Sequence, residues 1–400
     1  MKSGPRLRTV SAFPLRAFAA LAAMLAVVLA PQLAEAGTAS RAASFVRTTR
    51  HHRHHHRHHR HHHHNDDDNP TVSTSPSPAP STSTSTSTST STSTSTSTST
   101  STSTSTTTST TTRPPQIQPD PHPVVSKCLA QTPRATVSGA QSKRFNPDLG
   151  SDEAVDARSA SWTQVDSWPV SVTGSGSLCW NGGAVIGTYP VSTLWSEFHH
   201  TGGFSFNNPN SVIEAVRVHN YGDAINVRDG AANWTVRGAH TSFIHDDCLQ
   251  DDYLNAGVIE QSLFDGCYVG ISTRPSSGTT GVDGHTLTLT MRSSLLRLAP
   301  MPTVYKGPAP GHGGFFKWDD AGRSPKLALF DNVLRVDQTP NHGSLGLPDV
   351  PVSCARNTIV WLGSGAFPEA ASWLAKCPDT RIVTTRSTWD DAVTVWDAAH

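Results

Sequence analysis

Residues 212–227 read VIEAVRVHNYGDAINV, and residues 257–271 read GVIEQSLFDGCYVGI. Each is a short alternating run, a corner marked by Gly, Asn or Asp, and a second short run. Residues 236–243 (VRGAHTSF) repeat the first run, with Cys248-Leu249-Gln250 as its second. Residues 327–334 (LALFDNVL) and 352–359 (VSCARNTI) repeat it further along, and Phe315-Phe316-Lys317-Trp318 supplies another second run. The copies recur about every 20–25 residues, a solenoid period. Alternation at period two reads as strand, and no helix-period pattern separates the copies, which argues against a βαβ fold. A β-sandwich also has many short strands, but it does not require matched pairs of runs.

The physical reading is a coil of parallel strands. One coil cannot bury its inward side chains alone, whereas stacked coils share one apolar column. Ile225, Leu249, Val269 and Phe316 are expected to fill that column, with Asn226, Gln250, Gly270 and Lys317 pointing outward. Asn332 and Asn357 fall at matching places, as an inward polar ladder requires. The expected fold is all-β: a right-handed parallel β-helix with short capping helices at the C-terminus. One helix should run from Phe367-Pro368-Glu369 through Trp373 and Leu374, the other from Trp389 to Ala398. Residues 145–206 should form the N-terminal cap and early coils, packed around Trp162, Trp168 and Trp180.

Composition divides the chain into three parts. Residues 1–36 read as a signal peptide: Lys2, Arg6, Arg8 and Arg16 precede an apolar run over 17–30, and Ala34-Glu35-Ala36 follows. That run is shorter than the ~20 residues of a membrane span. Residues 37–122 read as disordered. Every residue from 51 to 64 is His or Arg, and residues 81–112 contain only Ser and Thr. The His tract offers ligands for Zn²⁺, Ni²⁺ or Cu²⁺ without a fold to select among them. The Ser/Thr run has nothing apolar to bury and reads as a stalk. Residues 123–400 form the folded domain. The expectation is a secreted or cell-surface monomer with no transmembrane segment in the mature chain. Lys+Arg and Asp+Glu both total 31, so bulk charge favours neither nucleic acid nor an anionic membrane as partner.

All six cysteines, Cys128, Cys179, Cys248, Cys267, Cys354 and Cys377, lie in the folded part. An even count in an exported domain indicates disulfides, with fifteen pairings open. Cys354 with Cys377, closing the C-terminal region, is the expected pair.

The runs VIEAVRVHNYGDAINV and GVIEQSLFDGCYVGI resemble the pectin-lyase-like superfamily of right-handed β-helices, over roughly residues 212–362. More narrowly, IHDDCLQDD (244–252), DGCYVGISTRP (265–275), GHGGFFKWDD (311–320) and NTIVWLGSG (357–365) resemble a bacterial group of exported β-helix proteins with no assigned activity. The superfamily holds polysaccharide lyases, glycoside hydrolases and non-catalytic surface proteins. The resemblance therefore implies a polysaccharide partner without choosing a chemistry.

The chemistry-bearing residues are acidic. Asp246, Asp247, Asp251 and Asp252 crowd one short stretch. Stacked coils lie about 4.8 Å apart, which brings Asp223 from the coil before, Arg274 from the coil after, and Lys317, Asp319 and Asp320 from the next. Three readings follow. In a lyase, Asp246, Asp247, Asp251 and Asp252 hold Ca²⁺, and Lys317, or less readily Arg274, removes a proton beside a uronate carboxylate. In a hydrolase, Asp247 and Asp319 act as an acid–base pair at inverting separation. Asp246-Asp247 and Gly311-His312-Gly313 keep the order seen in polygalacturonases, though no Arg-x-Lys follows. In a non-catalytic glycan-binding or surface module, the aspartates form turns or a structural Ca²⁺ site. On the structural side, Trp318 reads as core, His219 and His245 as bonded to turn carbonyls, and Gly311-His312-Gly313 as a flexible loop.

Overall fold

The computed structural model describes Cys128 and residues 135–400, apart from Val165, Ser277 and Asp320. The signal segment, the His/Arg tract and the Ser/Thr stalk lie outside the described residues, as does Asp320. Among the described residues, 21 strands join in one sheet. It winds through three faces. The first face stacks Leu178–Asn181, Val212–Glu214, Trp234–Arg237, Gly257–Glu260, Thr288–Arg292, Lys326–Phe330 and Val352–Ala355, all parallel. The second stacks Ala184–Gly187, Arg217–His219, the first halves of His240–Gln250 and Leu263–Thr273, then Leu295–Leu298, Val333–Val336, Thr358–Trp361 and Arg381–Val383. The third stacks Val170–Val172, Gly202–Phe206, Asp223–Val227, the second halves of the same two long strands, and Phe316–Trp318. This is the expected all-β solenoid.

Ile213, Val236 and Ile259 stack in register, steps of 236 − 213 and 259 − 236, both 23 residues. The next steps, to Met291 and Leu329, are 32 and 38 residues, since 291 − 259 = 32 and 329 − 291 = 38. The expected period thus holds in the middle and stretches where loops over 274–287 and 299–315 interrupt the coils.

The corner between the first and second faces has a constant conformation. Ala215, Gly238, Gln261, Ser293, Asp331 and Arg356 all take left-handed φ, between 48° and 60°. That geometry is disfavoured for L-residues, and at four of the six corners the next residue, Ser262, Ser294, Asn332 or Asn357, offsets it with a side-chain hydrogen bond to the neighbouring coil. Asn332 donates from its backbone N to Asn357 Oδ1 at 3.1 Å, and Ser294 N donates to Asn332 Oδ1 at 3.0 Å. Ser262 N donates to Ser294 Oγ at 3.1 Å, and Ala239 N to Ser262 Oγ at 3.2 Å. The polar ladder expected at Asn332 and Asn357 exists, and serines continue it.

On the outer side of the first face, Glu214, Arg237, Glu260 and Arg292 form a vertical file of alternating charge. Arg237 pairs with Glu214 at 2.8 Å and also with Glu260, and Arg292 Nε reaches Glu260 at 2.7 Å.

Two expectations need correction. On the third face Ile225, Leu249, Ile271 and Phe316 share the inward row. Val269 instead sits level with Asp247 and packs with Tyr268 and Met301 in a separate cluster. The cause is the corner before the third face, where Phe243 and Gly266 have positive φ and the register shifts between Ile244 and Asp247. Ser272, rather than Gly270, therefore lies level with Gln250 and Lys317.

The second correction concerns the C-terminal helices. Helix α1, Trp195–Phe198, lies between early strands of the solenoid; α2 spans Ala370–Lys376 and α3 spans Ser387–Ala399. In α2, buried Trp373 packs on Phe315 and Phe316 and donates from Nε1 to Leu345 O at 2.7 Å, a capping role. The α3 helix does not cap. Its Trp389 and Trp396 pack on Leu263, Leu295 and Val360, and Trp396 Nε1 donates to Gln261 O at 2.7 Å. It is a lateral strap, drawn there because the outward positions of the second face carry apolar side chains.

The disulfides are Cys128–Cys179, Cys248–Cys267 and Cys354–Cys377, the last as expected. Trp162 and Trp180 are fully buried with Phe145 at the early coils, while Trp168 lies outside, under the Arg228 guanidinium. Trp318 is core, as expected. Among the described residues no helix is long and apolar enough to cross a membrane.

Candidate functional site

The acidic site is built at the start of the third face. Gly222 lets the chain pass α1: a Cβ there would lie 2.0 Å from Phe198 O. Asp223 then opens the strand Asp223–Val227. One coil on, His245 N donates to Tyr221 O and Asp246 N to Gly222 O, both at 2.8 Å. Asp247 N donates to Asp223 Oδ1 at 3.2 Å. These bonds seat Asp246-Asp247 directly beside Asp223. One carboxylate oxygen from each of the three lies within 4.8 Å of the others. All three are buried, with exposures of 3% for Asp223, 5% for Asp246 and 0% for Asp247.

Lys317 joins them from two coils further on. Its Nζ lies 3.3 Å from Asp247 Oδ2, and its side chain is 28% exposed. The intervening level is occupied by Ser272, small enough to let the lysine reach back.

Three acids and one ammonium leave a formal surplus of two negative charges. Burial, then the neighbouring charge of Asp247, pushes Asp246 up to about 7. The same two causes, joined by the charge of Asp246, push Asp223 well above the ordinary carboxylate range. Asp252, half-buried nearby, is pushed up to about 6, by burial first and then by Asp247. For Lys317, burial opposes the charged form, but Asp247, Asp246 and Asp223 outweigh it and hold the ammonium above the usual lysine range.

The other expected site residues divide. Arg274 is exposed at the rim, where its charge acts on Asp246 and Asp252. Asp251 is not a member. Its buried carboxylate accepts from Tyr253 N at 3.1 Å, Asn255 N at 2.9 Å and Asn255 Nδ2 at 2.9 Å, so it holds a turn. Burial still raises it to about 7. Asp319 is not a member either. It pairs with Arg323 at 2.9 Å, and that guanidinium holds its carboxyl below the ordinary range. The expected metal set of Asp246, Asp247, Asp251 and Asp252 is replaced by Asp223, Asp246 and Asp247. Asp223 carried a signal in the sequence, being one 24-residue step before Asp247.

The imidazoles nearby are structural. His245 stacks on Phe198 at 3.7 Å between ring centres, and its Nε2 lies 3.1 Å from Asn220 Oδ1, a side-chain rather than a backbone carbonyl. Burial pushes its pKa down to about 3. His219 meets Ser242 Oγ at 3.0 Å. His312 is fully buried with Nδ1 2.7 Å from Gly313 O, so Gly311-His312-Gly313 is packed rather than a free loop.

Asp247 Oδ1, Ser272 Oγ and Thr273 Oγ1 are buried without a hydrogen-bond partner among the described residues. Buried polar atoms are rarely left so. The arrangement suits two tasks: storing a proton on Asp246 or Asp223, or binding a hard divalent cation through carboxylate oxygens. No protein-family model, curated protein or solved structure matches this chain.

Proposed function

We propose that this chain is an exported polysaccharide-cleaving protein of the pectin-lyase-like superfamily that hydrolyses an acidic glycan. The observation that carries the reading is the meeting of Asp223, Asp246 and Asp247, from two adjacent coils, with Lys317. Glycoside hydrolysis needs one carboxyl that arrives protonated and one carboxylate. Asp246, held up to about 7 by burial and by Asp247, is the proton donor to the leaving oxygen. A water adds to the anomeric carbon as the bond to the leaving oxygen breaks, and its proton passes to Asp247, the carboxylate ion-paired with Lys317. Asp223 positions Asp247 through its backbone N–H. Arg274 at the rim suits a substrate carboxylate.

Elimination is less well supported. A lysine base must be a neutral amine, and the carboxylates around Lys317 stabilise its ammonium. The test is release of reducing ends from polygalacturonate without an ultraviolet-absorbing unsaturated product. Asp246→Asn should slow release by ~100-fold or more, the lower end of general-acid contributions. Unsaturated product lost in Lys317→Ala would favour the lyase instead.

One observation favours a second reading, a non-catalytic glycan-binding module tied by a cation. Asp247 Oδ1 is buried and unpartnered beside two further carboxylates. Asp223, Asp246 and Asp247 would hold Ca²⁺, which takes oxygen ligands at about 2.3–2.6 Å. Ca²⁺ should then raise the thermal midpoint of the wild type but not of Asp223→Asn, with no turnover on any acidic glycan.

A further inference from the structure

Beside the acidic cluster lies an aromatic and cationic patch made by three separate segments. Trp195 and His199 come from α1 and the residue after it, and their rings stack at 4.2 Å. Tyr305 and Lys306 come from the loop over 299–315. The Tyr305 ring is 4.7 Å from Trp195, and Lys306 Nζ lies 4.7 Å from its centre. His342, from the loop after Val333–Val336, meets the Tyr305 ring edge-on at 5.2 Å. Thr303 Oγ1 donates to Thr193 O at 2.8 Å, and Asn341 Nδ2 to Tyr305 O at 3.2 Å, so the segments are tied together.

The patch adjoins the cluster through two contacts. Phe198 of α1 stacks on His245, the residue before Asp246. Tyr268 Oη donates to Tyr305 O at 3.3 Å, and the phenol is close enough to feel the charge of Asp246. His342, though exposed, has its charged form disfavoured by burial and then by Lys306, Arg274 and Lys317, so these cations converge on it.

Charge is one-sided here. Residues 299–315 contain no acidic residue. Asp337 is bound to Arg335 and Asp349 to Lys376. Glu197 on α1 is the exception. Lys306, His342 and Arg274 are exposed, while Trp195 and Tyr305 are half-buried. Trp195 Nε1 is shielded from water yet has no partner among the described residues.

We infer that Trp195, Tyr305, Lys306, His342 and Arg274 form a subsite for an anionic sugar unit, adjoining the cluster where the bond is cut. The inference deepens the glycan reading and rests on it. The aromatic rings offer flat apolar surface to the C–H face of a pyranose. Lys306 and Arg274 neutralise its carboxylate or sulfate, the His342 ring lies beside them as a hydrogen-bonding group, and the rim stays wet enough for exchange.

The test uses the full secreted chain carrying Asp246→Asn, so that turnover does not consume the probe. Affinity electrophoresis is run in gels cast with polygalacturonate, chondroitin sulfate or neutral dextran. Retardation by one of the two anionic polymers and not by dextran is expected. Trp195→Ala and the double variant Lys306→Ala/His342→Ala should each weaken it at least tenfold, while Tyr305→Phe, which keeps the ring, should not. Unchanged circular dichroism and thermal midpoint exclude misfolding in each variant. Retardation by neither anionic polymer, or equal retardation of the patch variants, overturns the subsite. If the wild type cuts glycan and the patch variants keep its KM, the subsite fails and hydrolysis stands. If binding depends on the patch but the wild type cuts nothing, hydrolysis fails and the subsite stands.

Discussion

Replacing Asp246 by Asn should stabilise the protein at neutral and alkaline pH while doing little in acid. Burial and the charge of Asp247 raise the Asp246 carboxyl from 3.8 to about 7 in the folded chain. Below pH 3.8 the group is protonated whether the chain is folded or not, and it makes no difference to stability. As pH rises from there towards 7, the unfolded chain ionises while the folded chain must keep its proton or bury a charge. Each pH unit across that window costs about 1.4 kcal/mol. Roughly three units therefore remove about 4 kcal/mol, after which the loss levels off. The neutral amide of Asp246→Asn carries no such penalty. For a domain of this size 1 kcal/mol moves the thermal midpoint by about 2–4 °C, so the variant should gain about 8 °C or more on the wild type between pH 4 and pH 8. The assay is thermal unfolding by circular dichroism across that range, with chelator present throughout. A midpoint difference that stays flat with pH would refute the claim that Asp246 is a buried, proton-holding acid.

Lys317→Met should cost about 2–3 kcal/mol in chemical denaturation at pH 7, below the ~3–5 kcal/mol of a fully buried pair because the lysine keeps some solvent contact, and the deficit should shrink in acid as Asp223 and Asp246 take up protons. Asn332→Ala strands the Ser294 N–H and takes the amide donor from Met291 O, while Asn357 Oδ1 keeps the backbone N–H of residue 332, so a loss of roughly 3 kcal/mol is expected from two buried groups at about 1–3 kcal/mol each; a denaturation midpoint within error of wild type would contradict the ladder. Trp396→Ala should release α3, giving new protease cuts within residues 387–400 while amide protection of the sheet is unchanged; cuts spread through the sheet would mean the helix is integral to the coil.

The coil was legible because its pattern repeats: the paired runs around residues 213, 236 and 259 carry the same alternation, and Asn332 and Asn357 occupy the same place in theirs. Asp246, Asp247 and Lys317 were legible as residues of neighbouring coils, though Lys317 stands level with Gln250 and reaches Asp247 only through its long side chain. What sequence hid was local. Val269 and Ile271 are both apolar, and only the irregular corner before the third face decides which turns inward. Asp251 and Asp223 look alike as aspartates, but Asn255 captures the first and the neighbouring coil the second. Asp319 is one residue past a core tryptophan, and Arg323, four residues on, claims it. The α3 helix has an apolar side that fits a cap or a strap equally. The clue was elsewhere, in Leu263, Leu295 and Val360 standing where a solvated face should be polar.

The file of Glu214, Arg237, Glu260 and Arg292 gives the solenoid a parity. Excising the single rung that carries Arg237 would set Glu214 against Glu260, two like charges at neighbouring levels, whereas excising it together with the next would set Glu214 beside Arg292. Lengthening or shortening of this stretch is therefore easier by pairs of rungs than by one, a rule imposed from outside the barrel wall and indifferent to what the opposite side of the molecule does.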